Sequence, residues 1–441
     1  MLSREENELM CRVGPGTPMG EAIRRYWVPI LSSYQLPAPD CDPVKVELFG
    51  ERYVAFRDSA GRVGLLDEQC LHRSASLALG RVENGGIRCL FHGWNFAVDG
   101  TVLETPNVSD ARFRSRIKAR AYPVREAGSM IWAYVGPKEH EPPFPHWSFF
   151  DQPPERVVTV SFVVQCNYVQ LQEALLDSSH LTILHKDAFR RGADIDFVSS
   201  VNGATTAKVA DPKVEVLDTE FGFYYAALRP TPSAEGEKLT ARVTGYVAPF
   251  YCVNANGDLL GLIVPIDDHR TLHHFVWWSE TKEISKDPHR AELLRFTGLD
   301  DEALHKNGLH PDTWYLPGKP NRLNNFNQDR QGMREGLYSG LHIFFPEDSA
   351  MAVSAGEIRD RSKEVLAPAD VAISRLYRSL LALPRAIQQG NEPPGLHTDL
   401  HAVRGFSTEI DPGTRWHGLL DPSTTPQTGS VSATTSDCTN P

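Results

Sequence analysis

Between Asp67 and Trp94 the chain reads DEQCLHRSASLALGRVENGGIRCLFHGW. Cys70 and His72 form one pair, and after sixteen intervening residues Cys89 and His92 form a second. Each pair offers one thiol and one imidazole, so the pattern is C-x-H-x16-C-x-x-H. Tetrahedral zinc accepts such donors, but a finger of the Cys-Cys…His-His kind puts both cysteines in one pair. The mixed order suits a two-iron cluster whose ligands separate by iron, thiolates on one and imidazoles on the other. Two hairpin loops, each donating one Cys and one His, can supply them. Neutral imidazoles remove negative charge and raise the potential of such a cluster. On the residues alone, structural zinc remains the alternative.

The surrounding texture fits loops on a small β domain. From about 42 to 136 the segments VKVELFG, RYVAFRD, RVGLLD, GIRCLFHG, WNFAVDG and GSMIWAYVG alternate apolar and polar residues, separated by DSAG, NGG and VDG. Such runs between turn residues read as short antiparallel strands. Ahead of them, SREENELMCRV and TPMGEAIRRYW read as helices, the second with Thr17 as N-cap and Pro18 at its first position. Gly14-Pro15-Gly16 between them follows a helix, so it is no dinucleotide fingerprint. The proline-rich GPKEHEPPFPHW (136–147) reads as an extended crossing segment.

Beyond it, VVTVSFVVQC, KVEVLDTEFGFYYAALRP, KLTARVTGYVAPFYCV, LLGLIVPID and RTLHHFVWWSE read as strands. NYVQLQEALLDSSHLTILHKD and the regions 289–307 and 369–390 read as helices. The fold class expected is α+β: a small antiparallel β domain plus a larger one with an antiparallel sheet flanked by helices. The expected division is 1–40, an N-terminal helical segment packing on the larger domain; 41–147, the cluster domain; 148–420, the larger domain; and 421–441, a polar, low-complexity, disordered tail.

A cluster of this kind moves single electrons and needs an acceptor. The stretch EALLDSSHLTILH holds Asp177, His180 and His185. Two histidines five apart do not share a clean face of a regular helix, so convergence requires a distortion or a helix end. Two His and one carboxylate form the facial triad of non-haem Fe(II) oxygenases. The carboxylate must come from far along the chain, where FFPEDSAMAVSAGEIRDRS offers Glu347, Asp348, Glu357 and Asp360.

The two motifs together resemble the Rieske non-haem iron oxygenases, oxygenase (α) component. CLHR and FHGWNF resemble Rieske domains, and Trp94 is the aromatic residue those domains carry after the second His. Nearly the whole chain is covered: ENELMCRVGPGTPMGEAIRRYWVPI, SSYQLPAPD, ERYVAFRDSAGRVGLLDEQC, PFYCV and DRSKEVLAPADVAI resemble the phthalate dioxygenase branch.

The resemblance implies a [2Fe–2S] cluster on Cys70, His72, Cys89 and His92, and a mononuclear Fe(II) on His180, His185 and Asp348. Glu347 is then a neighbour, and Asp360 a structural ion pair with Arg359 or Arg361. Asp177 is implied not as a ligand but as an acceptor from His180, bridging to the cluster His of an adjoining subunit and carrying electrons between sites too far apart within one chain. A homo-oligomer follows, a trimer or stacked trimers. O2 is the co-substrate. No flavin or NAD(P) fingerprint is present, so a separate NAD(P)H-dependent flavin/iron–sulfur reductase is implied.

The implied reaction is cis-dihydroxylation of a phthalate-like aromatic acid; the alternatives are O-demethylation or monooxygenation of a methoxylated aromatic acid, and a Rieske electron carrier without catalysis. The chain departs from the family at EALLDSS, where relatives carry EGDIDT or EGDIDS, so Leu175 and Leu176 alter packing near the iron. A buried carboxylate needs a cationic clamp; Arg242, in TARVTGYVAPF, and Lys208 are the candidates. Phe275, Trp277 and Trp278 read as core, and the adjacent His273 and His274 face opposite sides of a strand and make a poor metal pair.

Composition narrows the classes. A formal net charge of -11 argues against nucleic acid. The charged start MLSREENELM lacks a secretory apolar run, and no stretch approaches the length needed to span a bilayer, so a cytoplasmic location is expected. Seven scattered cysteines, an odd number, are no disulfide scaffold.

Overall fold

Ser3 and Thr17 set the first two helices. Ser3 accepts from the backbone N–H of Glu6 while Glu6 reaches back to the N–H of Ser3, starting Arg4–Cys11; Thr17 accepts from Gly20, starting Pro18–Ile23 with proline in its first turn. Both pack on the long amphipathic helix Val371–Gln388 near the C-terminus. The computed structural model describes residues 2–191, 209–233, 236–310, 318–341 and 344–420. Lys208 and the tail 421–441 lie outside the described residues.

Two four-stranded antiparallel sheets make the cluster domain. In one, Val44–Leu48, Glu51–Arg57, Val63–Asp67 and Ala121–Tyr122 are neighbours in that order; in the other, Arg81–Glu83, Gly86–Arg88, Asn95–Phe96 and Val102–Glu104. A small core of Val54, Phe56, Leu66, Leu77, Ile87, Trp94 and Phe96 lies behind the cysteines. A third sheet pairs Val28–Ser32 with Met130–Ala133 and Val124–Ala127, tying the chain's start to the exit from this region.

The larger part is one antiparallel sheet in the order 157–164, 271–278, 259–265, 251–253, 236–247, 222–233, 213–218, with Phe406–Ile410 also pairing with the strand Gly236–Val247. The central strands Leu259–Pro265 and Thr271–Trp278 are buried along nearly their whole length, so both faces of the sheet are covered there. No helix among the described residues is long and apolar enough to cross a membrane.

Two helical expectations are corrected. The region 289–307 is two helices, His289–Thr297 and Asp301–Asn307, because Gly298 adopts a left-handed C-cap with φ 72°. The segment 167–187 is not one helix. It starts at the Asn167 cap, runs Tyr168–Leu176, and stops at Asp177, where φ is -87° and ψ 117°.

A candidate pair of metal centres

The same hydrogen bonds close both cluster loops. Cys70 N–H donates to Ala75 C=O (2.8 Å) and Ser74 N–H to Cys70 C=O (2.9 Å); Cys89 N–H donates to Trp94 C=O (2.8 Å) and Gly93 N–H to Cys89 C=O (3.0 Å). Ser74 and Gly93, the fourth residue after each cysteine, both take positive φ, 58° and 76°. A left-handed residue turns each loop back on its cysteine.

The loops bring the four side chains together. Both cysteines are buried. Burial, with Cys89 beside it, pushes the Cys70 thiol up to about 11. The His72 and His92 rings meet edge-on, centroids 4.5 Å apart, and Trp94 stacks on His72 at 4.6 Å while its indole N–H donates to Asn107 (2.7 Å). Nδ1 of His92 is buried with no hydrogen-bond partner, a costly state for a polar atom unless something accepts its lone pair. Two adjacent thiols and a buried lone pair fit a metal cluster.

At the second centre the helix break does the positioning. After Leu176, Oδ1 of Asp177 accepts from the backbone N–H (2.7 Å) and hydroxyl (2.6 Å) of Ser179, a side-chain turn that competes with helical hydrogen bonding. Its other oxygen lies 3.3 Å from Nδ1 of His180. Arg229, fully buried, donates to the carbonyl of Ser178 (2.6 Å) and its hydroxyl (3.2 Å), holding the turn. His180 follows in a short 3-10 turn, His180–Thr182, and His185 comes after it, fully buried. The distortion that five-residue spacing demands is therefore present.

Helix Phe344–Ser354 supplies the carboxylates from consecutive positions. Oδ1 of Asp348 lies 2.9 Å from Nε2 of His185 and 3.4 Å from Nε2 of His180. Oε2 of Glu347 lies 2.8 Å from Nδ1 of His185, and the Ser339 hydroxyl donates to Oε1 of Glu347. One candidate ligand atom each from His180, His185 and Asp348 falls within 4.8 Å of the others. Each Nδ1 is already engaged by a carboxylate, which orients both rings and raises their basicity.

Burial favours neutral His180, yet hydrogen bonds to Asp177 and Asp348 outweigh it and raise its pKa to about 10. His185 shifts upward too: burial opposes the rise, and Asp348 then Glu347 drive it. Asp177 is held at about 2, burial being overcome by hydrogen bonds from His180 and Ser179. Asp348 is strongly lowered, against burial, by both imidazoles. This set of two imidazoles and a carboxylate fits a divalent ion, which replaces the protons holding the cluster together.

A cleft holding about 780 Å³ of empty space, the open solvent at its mouth included, abuts His180 and Asp348. Leu175, Leu259, Trp277 and Phe345 give it apolar walls; Tyr225, Arg242, Thr244 and Asn256 give it a polar one. Arg242 is 5% exposed and donates from Nη2 to Asn256 (3.0 Å); burial, with Arg229 nearby, lowers its pKa to about 10.

Three readings are corrected here. Trp277 lines the cavity rather than only the core, because the strand Thr271–Trp278 ends beside it. Leu175 lines the cavity, but Leu176 is buried away from it, one residue further round the helix. Asp360 pairs with Lys363 (3.1 Å), not Arg359 or Arg361; both arginines bind Glu173, buried on helix Tyr168–Leu176. The sequence reading missed the parts played by Glu347, Ser339, Arg229, Tyr225 and Asn256. Only Glu347 carried a signal, its place beside Asp348.

The comparisons match two successive stretches of the chain. Residues 26–123 match the Rieske [2Fe-2S] domain, and 133–425 match the family described as LigXa C-terminal domain like. The chain is 36% identical to the phthalate 4,5-dioxygenase oxygenase subunit of Pseudomonas putida, over 90% of this chain and 89% of that one. It is 34% identical to the 3-chlorobenzoate-3,4-dioxygenase oxygenase subunit of Comamonas testosteroni, over 90% and 92%. To the 5,5'-dehydrodivanillate O-demethylase oxygenase subunit of Sphingobium sp. (strain NBRC 103272 / SYK-6) it is 30% identical, over 90% and 84%. The Rieske match removes zinc from the first centre.

Proposed function

The chain belongs to the Rieske oxygenases of the phthalate dioxygenase type, ring-hydroxylating oxidoreductases, and from that premise we propose that it cis-dihydroxylates an aromatic carboxylic acid. It would do so as the terminal component of a system whose separate reductase draws electrons from NAD(P)H. The observation that carries this reading is the two-sided cavity, with an aromatic and aliphatic wall for a ring and Arg242 for a carboxylate, beside His180 and Asp348.

In this reading Cys70, His72, Cys89 and His92 hold a [2Fe–2S] cluster, and His180, His185 and Asp348 hold iron. When bound, the cluster supplies single electrons and the iron the chemistry of O2 activation. The chain's own residues do the rest. Arg242, steadied by Asn256, binds the carboxylate by charge-assisted hydrogen bonds. Leu175, Leu259 and Trp277 flank the ring and exclude water. Asp177 orients His180 and bridges to His92 of the partner subunit in a head-to-tail homotrimer. The exposed Leu71, Leu90 and Phe91 at the cluster loops, and the exposed Ile183 and Met351 near His180 and Asp348, suit burial in such an interface.

A second reading, O-demethylation, is favoured by the O-demethylase relative and by Leu175 in the cavity wall. Supplying reductase, NADH, ¹⁸O2 and candidate acids separates the two. A dihydrodiol carrying both labelled atoms supports the first, and formaldehyde supports the second. An electron carrier would hold about two irons per chain, an oxygenase about three.

A further inference from the structure

We propose that His146, Asp151 and His401 form a separate divalent-metal site of the zinc class, clasping the crossing segment to the C-terminal region. His146 closes the proline-rich stretch, Asp151 ends the 3-10 turn Ser148–Asp151, and His401 lies some 250 residues further on, as the chain approaches the strand Phe406–Ile410.

Nε2 of His146 lies 3.0 Å from Oδ1 of Asp151, and Nε2 of His401 lies 3.1 Å from Oδ2. The two rings are 4.9 Å apart, tilted by 34°. All three ligand atoms fall within 4.8 Å of one another. Ligands on tetrahedral zinc, at about 2.0 Å from the metal, stand roughly 3.3 Å apart; the two imidazoles, which here meet different oxygens of Asp151, would draw in from within 4.8 Å to share one ion. The side chains are 52%, 52% and 42% exposed, which leaves a fourth position to water.

Exposed imidazole–carboxylate contacts contribute little by themselves, whereas a metal shared between distant segments closes a long loop. The strand after His401 pairs with the one carrying Arg242, Ser407 opposite Arg242, so the clasp anchors the neighbour of the cavity's polar wall. A similar trio, Asp301, His305 and His310, is looser: His305 Nδ1 is committed to the Asp301 carbonyl, and His310 stands 4.0 Å away.

The test compares iron-loaded wild-type protein with H146A and H401A variants after equilibration with Zn²⁺ and gel filtration. Wild type should retain one more zinc per chain than either variant, with iron content and visible spectrum unchanged in all three. Zinc-edge X-ray absorption of the difference should show nitrogen and oxygen ligands, including imidazole, and no sulfur. Zinc that replaced the mononuclear iron would persist in both variants, and zinc in the cluster would show sulfur. Equal zinc in all three proteins, or sulfur in the difference, overturns the proposal. Hydrogen exchange gives a second readout: Zn²⁺ should slow exchange of 406–410 in wild type only, and equal slowing in H401A counts against the clasp.

Discussion

Oε2 of Glu347 lies 2.8 Å from Nδ1 of His185, while the next residue, Asp348, sets Oδ1 2.9 Å from Nε2 of the same ring. Consecutive helix positions are about 100° apart, which lets one helix grip both ends of one imidazole. His180 is held in the same manner from two sources, Asp177 at Nδ1 and Asp348 at Nε2.

Glu347 should therefore govern metal retention. Removing an outer partner of a ligating histidine costs roughly 10- to 100-fold in affinity or activity. Glu347→Ala should weaken iron binding by that order and leave the cluster's visible spectrum intact. Glu347→Gln, whose amide oxygen still accepts, should lose less. An iron titration of apo protein measures it; wild-type affinity in Glu347→Ala would remove the role.

Asp177 is expected to act on transfer rather than binding. Asp177→Asn preserves an oxygen for the Ser179 turn but removes the charge beside His180. Both metals should remain while cluster oxidation on mixing reduced protein with O2 and substrate slows roughly tenfold or more. An unchanged single-turnover rate would leave Asp177 a purely structural residue.

Arg242→Met should raise KM for a carboxylate substrate. Truncating one partner of a buried, hydrogen-bonded charge pair costs roughly 2–5 kcal/mol, about 30-fold or more. The corresponding neutral amide should lose far less, so the acid-to-amide preference collapses. Steady-state kinetics with both compounds decide it; an equal loss for both would place the carboxylate elsewhere.

Stripped of its mononuclear iron, the protein should lose stability as pH rises. His180 titrates near 10 in the folded chain against an ordinary 6.5. A raised pKa stabilises the folded state fully below 6.5, and that contribution fades as pH climbs through 10. Asp177, lowered from 3.8 to about 2, adds stability above 3.8 that is lost as pH falls through 2. Thermal midpoints of the iron-free protein should thus decline between pH 7 and 10, and iron-loaded protein should decline less because the metal replaces the proton. Parallel curves would contradict the coupling.

The cluster motif was legible because local order carries it. Cys70, His72, Cys89 and His92 each sit on a loop of a few residues bounded by turn signals, and the strands between them follow period-two alternation. Thr17-Pro18 and Asn167 marked helix starts for the same reason: a cap depends on neighbours within one turn. His180 and His185 could be named as a pair, though the break joining them could not be located. That break depends on Asp177 turning onto Ser179 and on Arg229 reaching Ser178 from a strand some fifty residues away.

Sequence alone determined the candidate ligand types, the α+β class and the family, since each is written in residue identity and short spacing. Tertiary structure decided which of two adjacent carboxylates faces which nitrogen of His185, that Trp277 borders the cavity while Leu176 leaves it, and that Glu173 rather than Asp360 takes both arginines. These outcomes turn on helix rotation and on contacts between segments more than a hundred residues apart. A rotation of one residue redirects a side chain by about 100°, and no local pattern records it.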